Sequence, residues 1–216
     1  NRLCVYELAT GKKNYVSEKF DSSVEGFVWN KDNKSLSFIG VWHGTLNLYQ
    51  ANFKGEVKQI TNEWADYGSI SLANNGNKLL ATKASMSHPT DIYIVTPGKD
   101  AKSTKVEQIT RENDHILNQL NLGKCEQRWV KTTDGKQMLV WIMLPSNFDA
   151  NKKYPTLLFC EGGPQSPVSQ FWSYRSQRLC CRIAKPPRSP WFRKRMERRD
   201  FWRLDRPVHE RLSFSY

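Results

Sequence analysis

Apolar residues in the first 120 positions occur in short runs, separated by clusters of Gly, Asn, Asp and Lys, with little helical periodicity. Runs of this kind, bounded by turn-forming residues, predict β-strands. The clearest predicted strands span residues 2–8, 24–30, 36–41, 45–53, 78–84 and 91–96. This half of the chain is therefore expected to be almost entirely β.

The predicted strands repeat. A tyrosine recurs in equivalent runs every 43 or 44 residues, and so does the glycine that follows each run; the anchors are Tyr6, Tyr49, Tyr93, Gly11, Gly55 and Gly98. The tripeptide Gln-Ile-Thr also occurs twice, at 59–61 and at 108–110. A period of about 40–50 residues with about four strands per unit is typical of a β-propeller. A β-sandwich with similar hairpins is the alternative.

A propeller closes only when enough blades complete the ring, and one blade cannot bury its own apolar faces. We therefore interpret residues 1–120 as a partial propeller, the last two to three blades of a ring.

The pattern changes after residue 120. An Asp134-Gly135 turn separates two apolar stretches, and a strand is predicted from 137 to 145. A continuous apolar run then follows Pro155 and ends at Gly162-Gly163, which is typical of a strand buried on both faces of an α/β sheet. In α/β enzymes such a strand commonly leads to a turn that offers a backbone N–H to an oxyanion. A tight turn after a core strand is the alternative.

The order of these features resembles the entry into the catalytic domain of the prolyl oligopeptidase family of serine peptidases, closest to its dipeptidyl-peptidase and acylaminoacyl-peptidase branches. The matching elements are the Asp-Gly turn, a strand ending at Leu144-Pro145, Phe148, Lys152-Lys153-Tyr154-Pro155, the apolar strand, and Gly162-Gly163-Pro164. The resemblance implies a propeller that caps an α/β-hydrolase domain. It also implies short peptide substrates, an acyl-enzyme, no cofactor, and export to the periplasm, with the cytoplasm as the alternative.

The expected fold is thus mostly β: propeller blades at 1–120, then the first strands of an incomplete α/β-hydrolase domain at 121–175. By resemblance, Gly162 and Gly163 form the oxyanion loop, with Gly163 as the donor. Glu161 stands where the family most often has histidine. Its carboxylate is a candidate contact for the free amino terminus of a substrate, and a surface glutamate is the alternative.

The remaining catalytic groups are absent from the sequence. No G-x-S-x-G occurs, and no glycine follows Gly163. The histidines are His43, His88, His115 and His209, and none is assigned a catalytic role. No His, Cys or carboxylate pair has a metal-ligand spacing. We therefore expect this polypeptide by itself to be inactive, with a non-catalytic propeller that binds protein partners as the alternative function.

The net charge of +12 is concentrated in the tail, residues 176–216, where 12 Lys and Arg face 4 Asp and Glu. Because the tail lacks an apolar run of four residues, we expect no strand in it and a disordered, Arg-rich segment. A shifted reading frame is the favoured explanation, and it implies no nucleic-acid partner. The alternatives are solvated disorder and a basic arm whose arginines and aromatic residues Trp191, Phe192, Phe201 and Trp202 bind nucleic acid or anionic lipid. No run is long enough to span a membrane, and the oligomeric state is open.

Overall fold

The structure, a computed structural model, describes residues 1–73, 76–159 and 179–184, with the backbone alone at 157–159 and 179–184. These residues form two compact units, Asn1–Leu120 and a second unit that begins at Asn121. Both consist mainly of β-strands, as the sequence predicted.

The first unit contains ten strands and one short helix. They are β1 (Val5–Tyr6), β2 (Lys13–Asn14), β3 (Val24–Trp29), β4 (Ser35–Trp42), β5 (Thr45–Asn52), β6 (Val57–Gln59), β7 (Asp66–Leu72), β8 (Leu79–Ser85), β9 (His88–Thr96), β10 (Lys105–Gln108) and α1 (Asp114–Leu117). Strands β3–β6 form one antiparallel meander and β7–β10 form a second. A single parallel pair, Leu46 opposite Asp66, joins them.

The sequence repeat is visible in strand register. Tyr49 of β5 lies opposite Gln59 of β6, and Tyr93 of β9 lies opposite Gln108 of β10. Tyr6 holds the same place in the two-stranded β1–β2 hairpin, where it lies opposite Lys13. The two meanders therefore use equivalent residues at equivalent positions.

The repeated threonine closes the end of each meander. Thr61 Oγ1 accepts a hydrogen bond from the Leu48 N–H at 2.9 Å and donates to Asn47 Oδ1 at 2.9 Å. In the second meander Thr110 Oγ1 accepts from the Ile92 N–H at 2.8 Å and donates to Asp91 Oδ1 at 2.6 Å. Because these bonds satisfy the buried side chains of Asn47, Thr61 and Asp91, the Gln-Ile-Thr repeat has a structural role.

Two apolar cores lie in the first unit, one on each side of the β3–β6 sheet. One core joins that sheet to the residues before it: Leu3, Val16, Phe20, Val24, Leu36, Phe38, Tyr49 and Ala51. The other joins the two meanders: Ile39, Leu48, Ile60, Tyr67, Leu79, Ala81 and Val95. Burial of this apolar surface is the main stabilising contribution in the unit.

Gly40 on β4 lies against the first core, where no side chain fits. A Cβ at this position would lie 2.5 Å from Phe20 Cζ and 2.7 Å from Tyr49 Cδ2. We expect Gly40→Ala to lower the free energy of unfolding by about 1–3 kcal/mol, the usual cost of overpacking. The matched control is Gly26→Ala, whose Cβ would meet only Ile39 Cδ1 at 3.6 Å. Equal destabilisation by both substitutions in urea unfolding would contradict this prediction.

The described residues of the second unit form a four-stranded sheet. Its strands are β11 (Lys124–Lys131), β12 (Gln137–Leu144), β13 (Thr156–Phe159) and β14 (Leu179–Ala184), in the spatial order β11-β12-β14-β13. The first pair is an antiparallel hairpin, and β13 and β14 are parallel. A parallel pair requires a crossover connection of about a dozen residues or more, and residues 160–178 are long enough to supply one.

Strand β14 corrects one prediction. The tail was expected to contribute no strand, whereas Leu179–Ala184 pairs with both β12 and β13. Arg182 separates Leu-Cys-Cys from Ile-Ala, so this segment contains no unbroken apolar run of four residues and its sequence does not predict a strand. Its other residues are compatible with a central strand. The remainder of the tail lies outside the described residues.

Candidate active site and its surroundings

The predicted site follows strand β13. In open α/β sheets, ligands bind beyond the carboxyl ends of parallel strands. Strand β13 ends at Phe159 and is parallel to β14 over four residue pairs, from Thr156 opposite Leu179 to Phe159 opposite Arg182. The predicted Glu161, Gly162 and Gly163 come directly after this end and lie outside the described residues.

The connection from β12 to β13 is fixed by Tyr154. Its hydroxyl accepts a hydrogen bond from the Asp149 N–H at 2.9 Å and donates to the Asn147 carbonyl at 3.4 Å. Its ring lies against Phe148, with the ring centroids 5.3 Å apart. Phe148 and Tyr154, two of the residues that carried the family resemblance, therefore hold the loop that leads into β13.

The Asp-Gly turn between β11 and β12 forms as predicted. Gly135 has φ +81°, a conformation that glycine adopts without strain, and its N–H donates to the Thr132 carbonyl at 2.9 Å. Lys136 Nζ donates to Asp134 at 2.7 Å, and this bond is the main cause that lowers the pKa of Asp134 to about 2. The charged groups of this turn thus stabilise a hairpin.

Strand β12 is an inner strand of the sheet, between β11 and β14. Leu139, Val140 and Trp141 are all buried in succession, so both faces of the strand are covered. This pattern is expected for an inner strand of an α/β sheet.

A polar cluster in the first unit was not found by sequence reasoning. Lys83 Nζ lies 3.2 Å from Glu63 Oε2, and Tyr67 donates to the same carboxylate oxygen at 2.6 Å. Lys83 Nζ also lies 4.2 Å from the centroid of the Tyr93 ring, a cation–π contact. Burial raises the pKa of Tyr67 above its usual range and also raises that of Tyr93. These contacts pair Lys83 of β8 with Glu63, which precedes β7, and we interpret them as structural.

A second polar cluster surrounds His88. Its Nδ1 lies 3.7 Å from Asp91 Oδ2, and its Nε2 lies 3.9 Å from Asp114 Oδ1. Asp91 is buried and also accepts bonds from Thr110 and Gln108. His88 Nδ1 lies 2.9 Å from the Pro89 carbonyl, and the carboxylate of Asp91 beside it belongs to the hydrogen-bonded end of the second meander.

Within the part of the chain that the structure describes, no group of three or more His, Cys, Asp or Glu residues could hold a metal ion. Over the same residues, no helix is long and apolar enough to cross a membrane.

Comparison with known proteins supplies the identification. No protein-family model matches the chain. It is 43% identical over 175 residues to dipeptidyl-peptidase 5 of Porphyromonas gingivalis, covering 81% of this chain and 25% of that protein. It is 44% identical over 142 residues to dipeptidyl-peptidase 5 of Porphyromonas endodontalis, covering 65% of this chain and 20% of that protein. The uncomplexed acylaminoacyl peptidase of Pyrococcus horikoshii has a similar fold, with a TM-score of 0.71 and 19% identity over 90% of this chain and 30% of that one.

The two relatives are named as peptidases, and the solved structure shares the β-rich fold of this chain. The chain belongs to the prolyl oligopeptidase family, as the sequence motifs predicted. It spans about a quarter of the length of the curated relatives it matches.

Proposed function

We propose that this chain is part of a serine peptidase that removes dipeptides or blocked residues from short peptides through an acyl-enzyme. The observation that carries the proposal is the parallel pair of β13 and β14, because β13 ends at Phe159, two residues before Glu161-Gly162-Gly163 in the sequence. This is the position where α/β enzymes bind their ligands.

We also propose that the first unit consists of propeller blades. Blade A is β3–β6 and blade B is β7–β10, and the β1–β2 hairpin is the end of a preceding blade. The shared register and threonine bonds support this assignment. A sandwich with Greek-key connections pairs strands that are distant in sequence, whereas every antiparallel pair described in this unit joins consecutive strands.

In this proposal the Gly163 N–H stabilises the oxyanion of the tetrahedral intermediate, since a preorganised backbone donor interacts most strongly with the charge that develops there. The Glu161 carboxylate binds the free amino terminus of a dipeptidyl substrate by charge pairing. The nucleophile, base and acid are not supplied by these 216 residues, which contain no G-x-S-x-G.

A chimera tests the proposal. Residues 1–175 of this chain replace the corresponding segment of the Porphyromonas gingivalis dipeptidyl-peptidase 5, which keeps its own nucleophile. We expect the chimera to release nitroaniline from a dipeptidyl-4-nitroanilide with a free amino terminus, and an organophosphate to block the release.

The 216-residue chain alone is the matched reference, and we expect it to give no organophosphate-sensitive burst of product because it lacks a nucleophilic serine. A burst from this chain would contradict the expectation. A folded chimera that reacts with the organophosphate but cleaves neither the free nor the N-acetylated substrate would overturn the proposed function.

A further inference from the structure

The loop after β12 leads to a strand that is not a neighbour of β12. In the sheet β14 lies between them, and among the described strands β13 pairs with β14 alone. That pairing is parallel and four residues long, and a parallel pair is slightly less stable per residue than an antiparallel one. The described sheet therefore fixes the position of β13 along its own axis only weakly.

Local hydrogen bonds fold this loop into two successive turns. The Phe148 N–H donates to the Pro145 carbonyl at 3.1 Å, directly after the end of β12. The Lys152 N–H then donates to the Asp149 carbonyl at 3.0 Å, and the Asn151 N–H donates to Asp149 Oδ1 at 3.0 Å. These turns bring the chain back toward its own start before β13 begins.

Tyr154 joins the two arms of the loop. Its hydroxyl is bonded to two backbone groups of the first arm, the Asp149 N–H and the Asn147 carbonyl. Pro155 comes next, and a residue that precedes proline is restricted to extended backbone. Strand β13 starts directly after this pair, at Thr156. Tyr154 therefore ties the start of β13 to the loop that leaves β12.

We propose that Tyr154 is a positioning residue for the peptidase reaction: its hydroxyl sets where β13 lies along its axis, and thereby where the Gly163 N–H meets the substrate. This inference rests on the proposed function, in which Gly163 donates to the oxyanion. A slip of one residue would displace the backbone of β13 by about 3.3 Å and turn its side chains to the opposite face. A misplacement of about 1 Å can already lower a reaction rate about 10²-fold.

Tyr154→Phe in the chimera tests this role, because phenylalanine keeps the ring that lies against Phe148 and removes only the hydroxyl. We expect kcat for the dipeptidyl-4-nitroanilide to fall about 10-fold and KM to stay within about twofold, since the displaced donor acts only in the transition state. Tyr15→Phe, the same change at a half-exposed tyrosine of the first unit, is the matched control and should leave both constants unchanged.

A double-mutant cycle separates positioning from a general loss of stability. If Tyr154 acts through the Gly163 donor, Tyr154→Phe should lower kcat little further in a chimera that already carries Gly163→Pro. Losses that multiply would show that the hydroxyl acts independently of this donor. An unchanged kcat in the single Tyr154→Phe variant would show that the hydroxyl does not position the donor. Either result overturns the inference.

Hydrogen exchange in the full 216-residue chain measures how firmly β13 is held, without any need for activity. We expect Tyr154→Phe to speed exchange of the β13 amides about 10-fold and to leave the β12 amides unchanged, because β12 lies between two strands. Equal exchange in the variant and the unmodified chain would overturn the inference even when the chimera is active. A parent chimera that cleaves neither substrate overturns the proposed function and this role together, whereas a contrary result for Tyr154 with an active parent overturns this role alone.

Discussion

Replacement of Phe38 by alanine is expected to lower the free energy of unfolding of the first unit by about 3–5 kcal/mol. The Phe38 side chain is fully buried. Its ring meets Phe20 edge-on at 5.3 Å between centroids and stacks on Tyr49 at 5.5 Å. Truncation removes both aromatic contacts and leaves a cavity beneath β4, whose rigid neighbours close it only in part.

Urea unfolding followed by circular dichroism measures this effect, and Phe27→Ala is the matched control. Phe27 lies directly opposite Phe38 in the β3–β4 ladder but is largely exposed. Its truncation should cost about 1 kcal/mol or less, because little surface leaves water when it folds. Comparable losses from both variants would show that burial of Phe38 does not organise this core.

The residues that repeat made much of the first unit predictable. The two meanders have the same strand register. A buried tyrosine and a threonine that accepts a backbone hydrogen bond therefore occur at the same place in each meander, and they recur in the sequence with the period of one meander. The sequence therefore located β3, β4, β5, β8 and β9 to within a few residues. It missed β7 because Gly68, Ser69 and Ser71 give this strand a polar composition, although Tyr67 is fully buried.

The polar clusters could not be predicted in the same way. Glu63 and Lys83 are far apart in sequence, and only the pairing of β7 with β8 brings Lys83 opposite Tyr67. The family could be predicted because several short sequence elements occur in the same order as in the family. They include Phe148 and Tyr154, which contact each other. The roles of Glu161, Gly162 and Gly163 stay predictions, since these residues lie outside the described part of the chain.

In the chimera, Gly163→Pro is expected to lower kcat about 10²–10³-fold with little change in KM. Proline has no N–H, so the substitution removes the proposed oxyanion donor. Loss of one such donor costs about 2.7–4 kcal/mol of transition-state stabilisation. The donor acts on charge that develops only during the reaction, so ground-state binding is expected to change little.

Gly163→Ala distinguishes the lost donor from a disturbed turn. Because Pro164 follows, residue 163 is already biased toward extended backbone, which alanine adopts without strain, and alanine retains the N–H. We therefore expect Gly163→Ala to keep most of the kcat that Gly163→Pro loses, as measured by nitroaniline release at saturating substrate. Equal losses in both variants would mean that this position serves by its shape alone, and that the oxyanion is held by other groups.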